Sequence, residues 1–176
     1  MGFLPADRKN NGGIMELSAR ENLTLPHLRP FWSRLRVNKK KEVVETTKWF
    51  GRLSVRPANG IQNSLVSFSG GNQQKILFGK WMRCGPAVFL LDEPTQGVDV
   101  GAKAQLHLQL LELAKQGTAI MISSTDIEEL EALCNRVLIF RSGRISDELR
   151  GARINASEIK QVCMSETTLA TLRTGA

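Results

Sequence analysis

Two short stretches, Ala87 to Leu91 and Thr118 to Ser123, are apolar at nearly every position rather than at every second one. A strand of that kind must be covered on both faces, a condition met in parallel sheets built from strand–helix–strand crossovers. The stretch between them, Gly101 to Gln116, sets Leu106, Leu110 and Leu113 along one helical face and stops at Gly117. Gly71 to Cys84, closed by Gly85-Pro86, reads as a helix before the first strand. Asp126 to Cys134 and Arg136 to Arg141 continue the alternation with one more helix and strand. The expected fold is α/β, mostly parallel, with right-handed crossovers and ligand chemistry at the carboxyl ends of the strands. Ser142-Gly143 reads as a hairpin turn into Arg144 to Leu149 and Asn155 to Met164 as a helix, with the final Thr-rich residues expected to be disordered.

The first 60 residues differ in character. Ser18-Ala-Arg-Glu21 fits a capping box, so a short helix is expected there, ending before Pro26. Lys40 to Leu53 reads as a second helix with Val43, Val44, Thr47, Phe50 and Leu53 along one side, and Arg56 to Gly60 as a loop. These 60 residues hold 12 basic and 5 acidic side chains, whereas the remaining 116 are balanced, so the whole formal charge of +7 lies in the first third. The densest part, Arg29 to Lys41, is compatible with nucleic acid or an anionic membrane face, but is read as the solvated start of a helix. No nucleic-acid module surrounds it, and no nucleic-acid partner is expected.

No run approaches the roughly 20 apolar residues of a membrane span, and Met1 to Lys9 lacks the apolar core of a signal peptide. Cys84, Cys134 and Cys163 form no CxxC pair, which argues against a zinc knuckle or disulfide framework and makes a reducing cytoplasm the default. The cysteines are read as small buried or neutral positions, Trp32, Trp49 and Trp81 as helix-type positions, and His27 and His107 as structural. Glu128, Glu129 and Glu131 are read as a solvated helix face.

Chemistry concentrates where the first buried strand ends. Leu90-Leu91-Asp92-Glu93-Pro94 places two carboxylates at the strand's carboxyl end, where an unpartnered charge is costly. In phosphoryl transfer one such acid holds Mg²⁺ and its neighbour orients or deprotonates the attacking water. Alone, the pair serves equally well as caps of the following turn. About 20 residues upstream, Ser69-Gly70-Gly71-Asn72-Gln73-Gln74 opens a helix, with glycines that admit an anion to the backbone amides and a helix dipole that favours it.

Together these segments resemble the ABC-type ATPases. Phe68 to Lys75 resembles that family's signature motif, Val88 to Asp92 with Glu93 its Walker B strand, and Gly97-Val98-Asp99 its D-loop. More narrowly, Asp92 to Lys103, Asn72 in the signature and Asp7-Arg8-Lys9 resemble the second nucleotide-binding domain of monosaccharide importers of the ribose and galactose type. The resemblance covers residues 3 to about 150. It implies a partial P-loop NTPase domain: residues 1–84 a helical subdomain ending in the signature helix, 85–150 the Walker B and D-loop part of the ATPase core, and 151–176 a tail. It further implies ATP and Mg²⁺ as cofactors, with Asp92 as the magnesium-associated acid and Glu93 as general base. Ser69, Gly70, Gly71, Asn72 and Gln73 would face the γ-phosphate of an ATP held by a second nucleotide-binding domain, head to tail, and Asp99 would act across that interface. The helical subdomain would face transmembrane permease subunits, placing the chain peripherally on the cytoplasmic face of the inner membrane.

The sequence departs from the pattern at four places. GxxxxGK[ST] is absent, since the one Gly-Lys pair, Gly79-Lys80, is followed by Trp81 and has no glycine five residues before it. Ser124 stands where most of these ATPases have a switch histidine and cannot carry a proton as imidazole does. Ala6 stands at the magnesium-sensing Gln, and Gln96 where the sugar-importer branch usually has Arg. The chain therefore reads as an incomplete ATPase domain beginning after its phosphate loop and inactive alone. The rival readings are a non-catalytic remnant donating only a signature motif to a partner domain and, less favoured by Asp92 to Lys103, a DNA-associated ABC ATPase.

Overall fold

The computed structural model describes residues 1–33 and 35–165; Arg34 and the Thr-rich end lie outside the described residues. The chain forms two compact units that meet in sequence at Ser123 and Ser124.

The first unit contains β1 (Gly2–Leu4), α1 (Ala19–Thr24), a small hairpin of β2 (Trp32–Ser33) and β3 (Arg36–Val37), α2 (Lys39–Arg52), α3 (Gly70–Met82), β4 (Val88–Asp92), α4 (Val100–Lys115) and β5 (Ala119–Ser123). Its sheet is parallel in the order β1-β4-β5, with Leu4 opposite Leu91 and Leu91 opposite Ile122. The continuous apolar run Val88 to Leu91 thus takes the central position. Phe89 is fully buried and meets Phe78 of α3 edge-on at 5.5 Å between centroids. On α4, Leu106, Leu110 and Leu113 are buried as their spacing predicts, and Gly117 ends the segment at φ 94°. β1, only three residues long, carries too little pattern to be read from sequence.

The second unit holds α5 (Ile127–Leu133), β6 (Arg136–Arg141), β7 (Arg144–Arg150) and α6 (Ala156–Ser165). β6 pairs antiparallel with β7 across the expected hairpin, but the structure corrects the place given to β6: the two form a separate two-stranded sheet and do not extend the parallel one. The buried residues of β6, Val137 and Ile139, alternate, the mark of a sheet covered on one face only. The turn is Ser142-Gly143 as expected, both left-handed at φ 46° and 76°. Val137, Ile139, Leu149 and Ile159 form the core of this unit.

Four local expectations change. Arg29 to Val37 is not the start of a helix: a 3₁₀ turn, Arg29–Phe31, leads into the hairpin, and α2 begins at Lys39 with the Asn38 side chain accepting from the Lys41 amide at 3.2 Å. Trp32 accordingly lies on a strand and is exposed. The buried face of α2 is rotated from the one expected. Glu42, Thr46, Trp49 and Phe50 point inward while Val44 and Thr47 face out, because Arg20 of α1 draws Glu42 into a buried ion pair at 2.5 Å. Cys163 is exposed, whereas Cys84 and Cys134 are partly buried and burial raises both thiols above their usual pKa.

The capping box at Ser18 is complete. Ser18 Oγ accepts from the Glu21 amide at 3.2 Å and the Ser18 amide donates to Glu21 Oε2 at 2.9 Å. The Ser18 hydroxyl and amide hold the Glu21 carboxyl below its usual pKa. A depressed carboxylate contributes stability above its unfolded pKa and loses it as the pH falls through its folded value, so this cap weakens in acid.

Thr46 Oγ1 is buried with no hydrogen-bond partner among the described residues. Burying an unsatisfied hydroxyl is unfavourable, so Thr46→Val, which replaces it with a methyl of the same shape, is expected to raise the unfolding free energy by about 1 kcal/mol in urea titration. A loss of stability would mean that the hydroxyl is satisfied in solution.

Candidate functional site at the carboxyl end of β4

β4 ends in Asp92, and Glu93 follows at φ 47°, a left-handed conformation uncommon for a residue with a Cβ. Its amide donates to the Ser123 carbonyl at 2.8 Å, so Glu93 is tied to the end of β5 even as its backbone turns out of the sheet. Strain of this type costs about 1–3 kcal/mol and collects at functional sites. The chain then reverses through two hydrogen-bonded turns, Gln96 amide to Glu93 carbonyl at 3.2 Å and Val98 amide to Thr95 carbonyl at 3.1 Å, with Gly97 at φ 69°. Asp99 caps α4, Oδ1 accepting from the Ala102 amide at 2.9 Å.

The Ser-Gly-Gly turn lies beside this loop. Ser69 is the N-cap residue of α3, yet its side chain caps no amide of the helix; its Oγ accepts from Asn72 Nδ2 at 2.9 Å. Asn72 in turn accepts from the Arg56 amide at 2.9 Å. The Gln73 side chain is buried and donates to the Phe68 carbonyl at 3.0 Å, which fixes the approach to the turn. Gln74, also buried, donates to the Pro94 carbonyl at 2.5 Å. A Cβ placed on Gly71 would lie 3.8 Å from Asp99 Oδ2, so signature-like turn and D-loop-like turn are neighbours.

Arg8, within Asp7-Arg8-Lys9, has a role that shows only in the fold. Its Nη1 donates to the Gln96 carbonyl at 2.8 Å and lies 3.5 Å from Gln74 Oε1, while Nη2 would meet a Cβ on Gly70 at 3.0 Å. A guanidinium thus bridges the first turn of α3 and the loop after β4.

Ser124 belongs to the second unit. Its Oγ donates to Glu129 Oε2 at 2.7 Å and accepts from the Asp126 amide at 3.1 Å. Glu129 is 0% exposed, which corrects its reading as part of a solvated helix face: the Ser124 hydroxyl draws this carboxylate inward.

The donor set suits a phosphate on α3, where the first-turn amides have no partner within the helix and the Ser69 hydroxyl stands at the N-cap. It suits a metal less completely. Among the described residues no group of three or more His, Cys, Asp and Glu could hold an ion, so Asp92 fits only a Mg²⁺ whose other ligands are phosphate and water oxygens.

The arrangement of turn, strand end and loop has a match. Residues 6–96 fit the family model described as ABC transporter. The chain belongs to this family. Among curated ABC proteins it is 42% identical to a ribose import ATP-binding protein of Chromobacterium violaceum, over 82% of this chain and 28% of that protein. It is 35% identical to a ribose import ATP-binding protein of Bacillus subtilis, over 90% of this chain and 32% of that one. The chain therefore spans about a third of the length of these relatives. In fold it is similar to an ATP-binding cassette solved as a dimer in a post-hydrolysis state with ADP and phosphate, at a TM-score of 0.70 and 19% identity, covering 85% of this chain and 62% of that one. The sequence has Ser124 where the resemblance led a histidine to be expected, and it contains no GxxxxGK[ST].

Proposed function

We propose that the chain supplies the signature-helix and Walker B part of an ATPase that energises carbohydrate import, working with a second nucleotide-binding domain and with permease subunits at the cytoplasmic face of the inner membrane. The observation that carries this reading is the pairing of the Ser69–Asn72 turn with the Pro94–Asp99 loop through Gln74 and Arg8, at the end of a strand that closes in Asp92 and a strained Glu93. Similarity to ribose import proteins supports the sugar-importer branch.

In this reading Asp92 would hold Mg²⁺ through oxygen, and Glu93, at the left-handed turn that follows β4, accepts the proton of the attacking water. The bound nucleotide and Mg²⁺ supply the phosphoanhydride and the charge that offsets its developing negative oxygens. Ser69 and the amides of Gly70, Gly71 and Asn72 donate to a γ-phosphate presented by the opposite domain, with Gln73 holding the turn in place. Asp99, fixed by the Ala102 amide, stands beside Gly71 to carry the state of one site to the other. Residues 1–84, apart from β1 in the parallel sheet, act as the helical subdomain facing the permease, 85–150 as the catalytic part and 151–176 as a tail. Ser124, tied to Glu129, makes a poor substitute for a proton-carrying imidazole.

Since GxxxxGK[ST] provides most phosphate donors in such sites, the isolated chain is expected to bind MgATP weakly or not at all in isothermal titration. Micromolar, magnesium-dependent binding would overturn the view that this chain only completes a nucleotide site built elsewhere.

A further inference from the structure

The β2–β3 hairpin and the first turns of α2 present apolar side chains to solvent inside a basic surround. Trp32 is 57% exposed, Leu35 at the hairpin turn 94% and Val44 on α2 71%. An open groove of about 390 Å³ beside them is lined by Pro30, Phe31, Lys40, Lys41 and Val44, with Asn38 and Glu45, so hairpin foot and helix form one surface. Arg29, Arg36, Lys39, Lys40 and Lys41 are all exposed, and no acidic residue occurs from Arg29 to Lys41. Of the nearby acids, Glu42 is buried against Arg20, which leaves Glu45, at the groove and accepting from Trp49 Nε1 at 3.0 Å, as one carboxylate against five cations.

We propose that this surface docks directly on an anionic phospholipid bilayer, Trp32 and Leu35 entering the headgroup region and the five cations meeting lipid phosphates. The inference does not rest on the ATPase reading. An aromatic and an aliphatic side chain at the end of a cationic element is the composition that partitions into a charged interface. A nucleic acid fits it poorly. Phe31, the other aromatic residue in the segment, is 4% exposed and lies under the Arg83 guanidinium at 5.2 Å, so within Arg29 to Lys41 Trp32 alone offers a ring on which a base could stack.

The test is flotation of the intact chain with protein-free vesicles of phosphatidylcholine, with and without phosphatidylglycerol. The chain is expected to float with the anionic vesicles at about 0.1 M salt and to be released near 1 M, where screening shortens to about 3 Å. Combined Lys39→Glu, Lys40→Glu and Lys41→Glu should lower vesicle affinity by roughly 10²-fold or more, at roughly fivefold per cation. Leu35→Ser should weaken it severalfold with an unchanged circular dichroism spectrum. Brominated lipid should quench the fluorescence of the chain but not of its Trp32→Phe variant. Equal flotation with neutral vesicles, binding insensitive to Leu35→Ser, tighter binding to a single-stranded oligonucleotide than to vesicles, or membrane association only when a permease is present would each overturn the proposal.

Discussion

Glu93→Gln, in a domain completed with a GxxxxGK[ST] segment, is expected to lower ATP turnover by roughly 10² to 10⁴ while leaving nucleotide affinity nearly unchanged. Glutamine keeps the size and hydrogen-bonding reach of glutamate and loses only the proton-accepting charge, so the left-handed turn at φ 47° and the 2.8 Å bond to the Ser123 carbonyl can persist. Asp92→Asn should behave differently. It acts on the metal, so it is expected to weaken Mg²⁺-dependent binding together with turnover. Both variants are best measured before and after Ser124→His, because the Ser124 hydroxyl, engaged by Glu129, contributes no proton relay of the imidazole type. A Glu93→Gln rate equal to the parent in both backgrounds would make Glu93 a structural residue of the turn.

Glu42→Ala is expected to destabilise the first unit by about 3 kcal/mol, the low end of the cost of breaking a buried ion pair, because Arg20 keeps Glu21 as a partner at 3.1 Å. Glu42 receives Arg20 Nη1 at 2.5 Å and Thr24 Oγ1 at 2.8 Å, and the two ionic side chains are only 7% and 3% exposed. Replacing both, Arg20→Met with Glu42→Leu, should restore most of that loss, since a well-packed apolar pair can match a buried ion pair. Chemical unfolding of the single and double variants checks this, and a double variant no more stable than Glu42→Ala would show that the pair does more than neutralise itself.

The same ion pair shows where the sequence could not be read. Periodicity placed Val44 and Thr47 on the inner side of α2, yet the inward face carries Glu42 and Thr46, because a partner 22 residues away on α1 outweighs local hydrophobicity. Elements with strong local signals were legible: the Ser18 capping box, the central strand ending in Asp92, the Leu106–Leu110–Leu113 face, and the Ser142-Gly143 turn. Elements without a local signal of their own were not. β1 exists only through its distant pairing with β4, and the hairpin around Leu35 sits in a run that charge alone made look helical. At the candidate site the residue types and their order were legible, but the role of Arg8 depends on contacts 66 and 88 residues away in sequence, which no local pattern announces.

The most direct measurement of the central claim is the ATPase rate of a complete nucleotide-binding domain, carrying its own phosphate loop but a disabled signature turn, with and without this chain. The account predicts that the chain raises the rate. It also predicts that Ser69→Arg or Gly71→Asp removes the gain, because the first fills and the second repels the γ-phosphate position at the start of α3. A gain that survives both substitutions, or no gain at saturating chain, would contradict a signature turn that acts on nucleotide held by another domain.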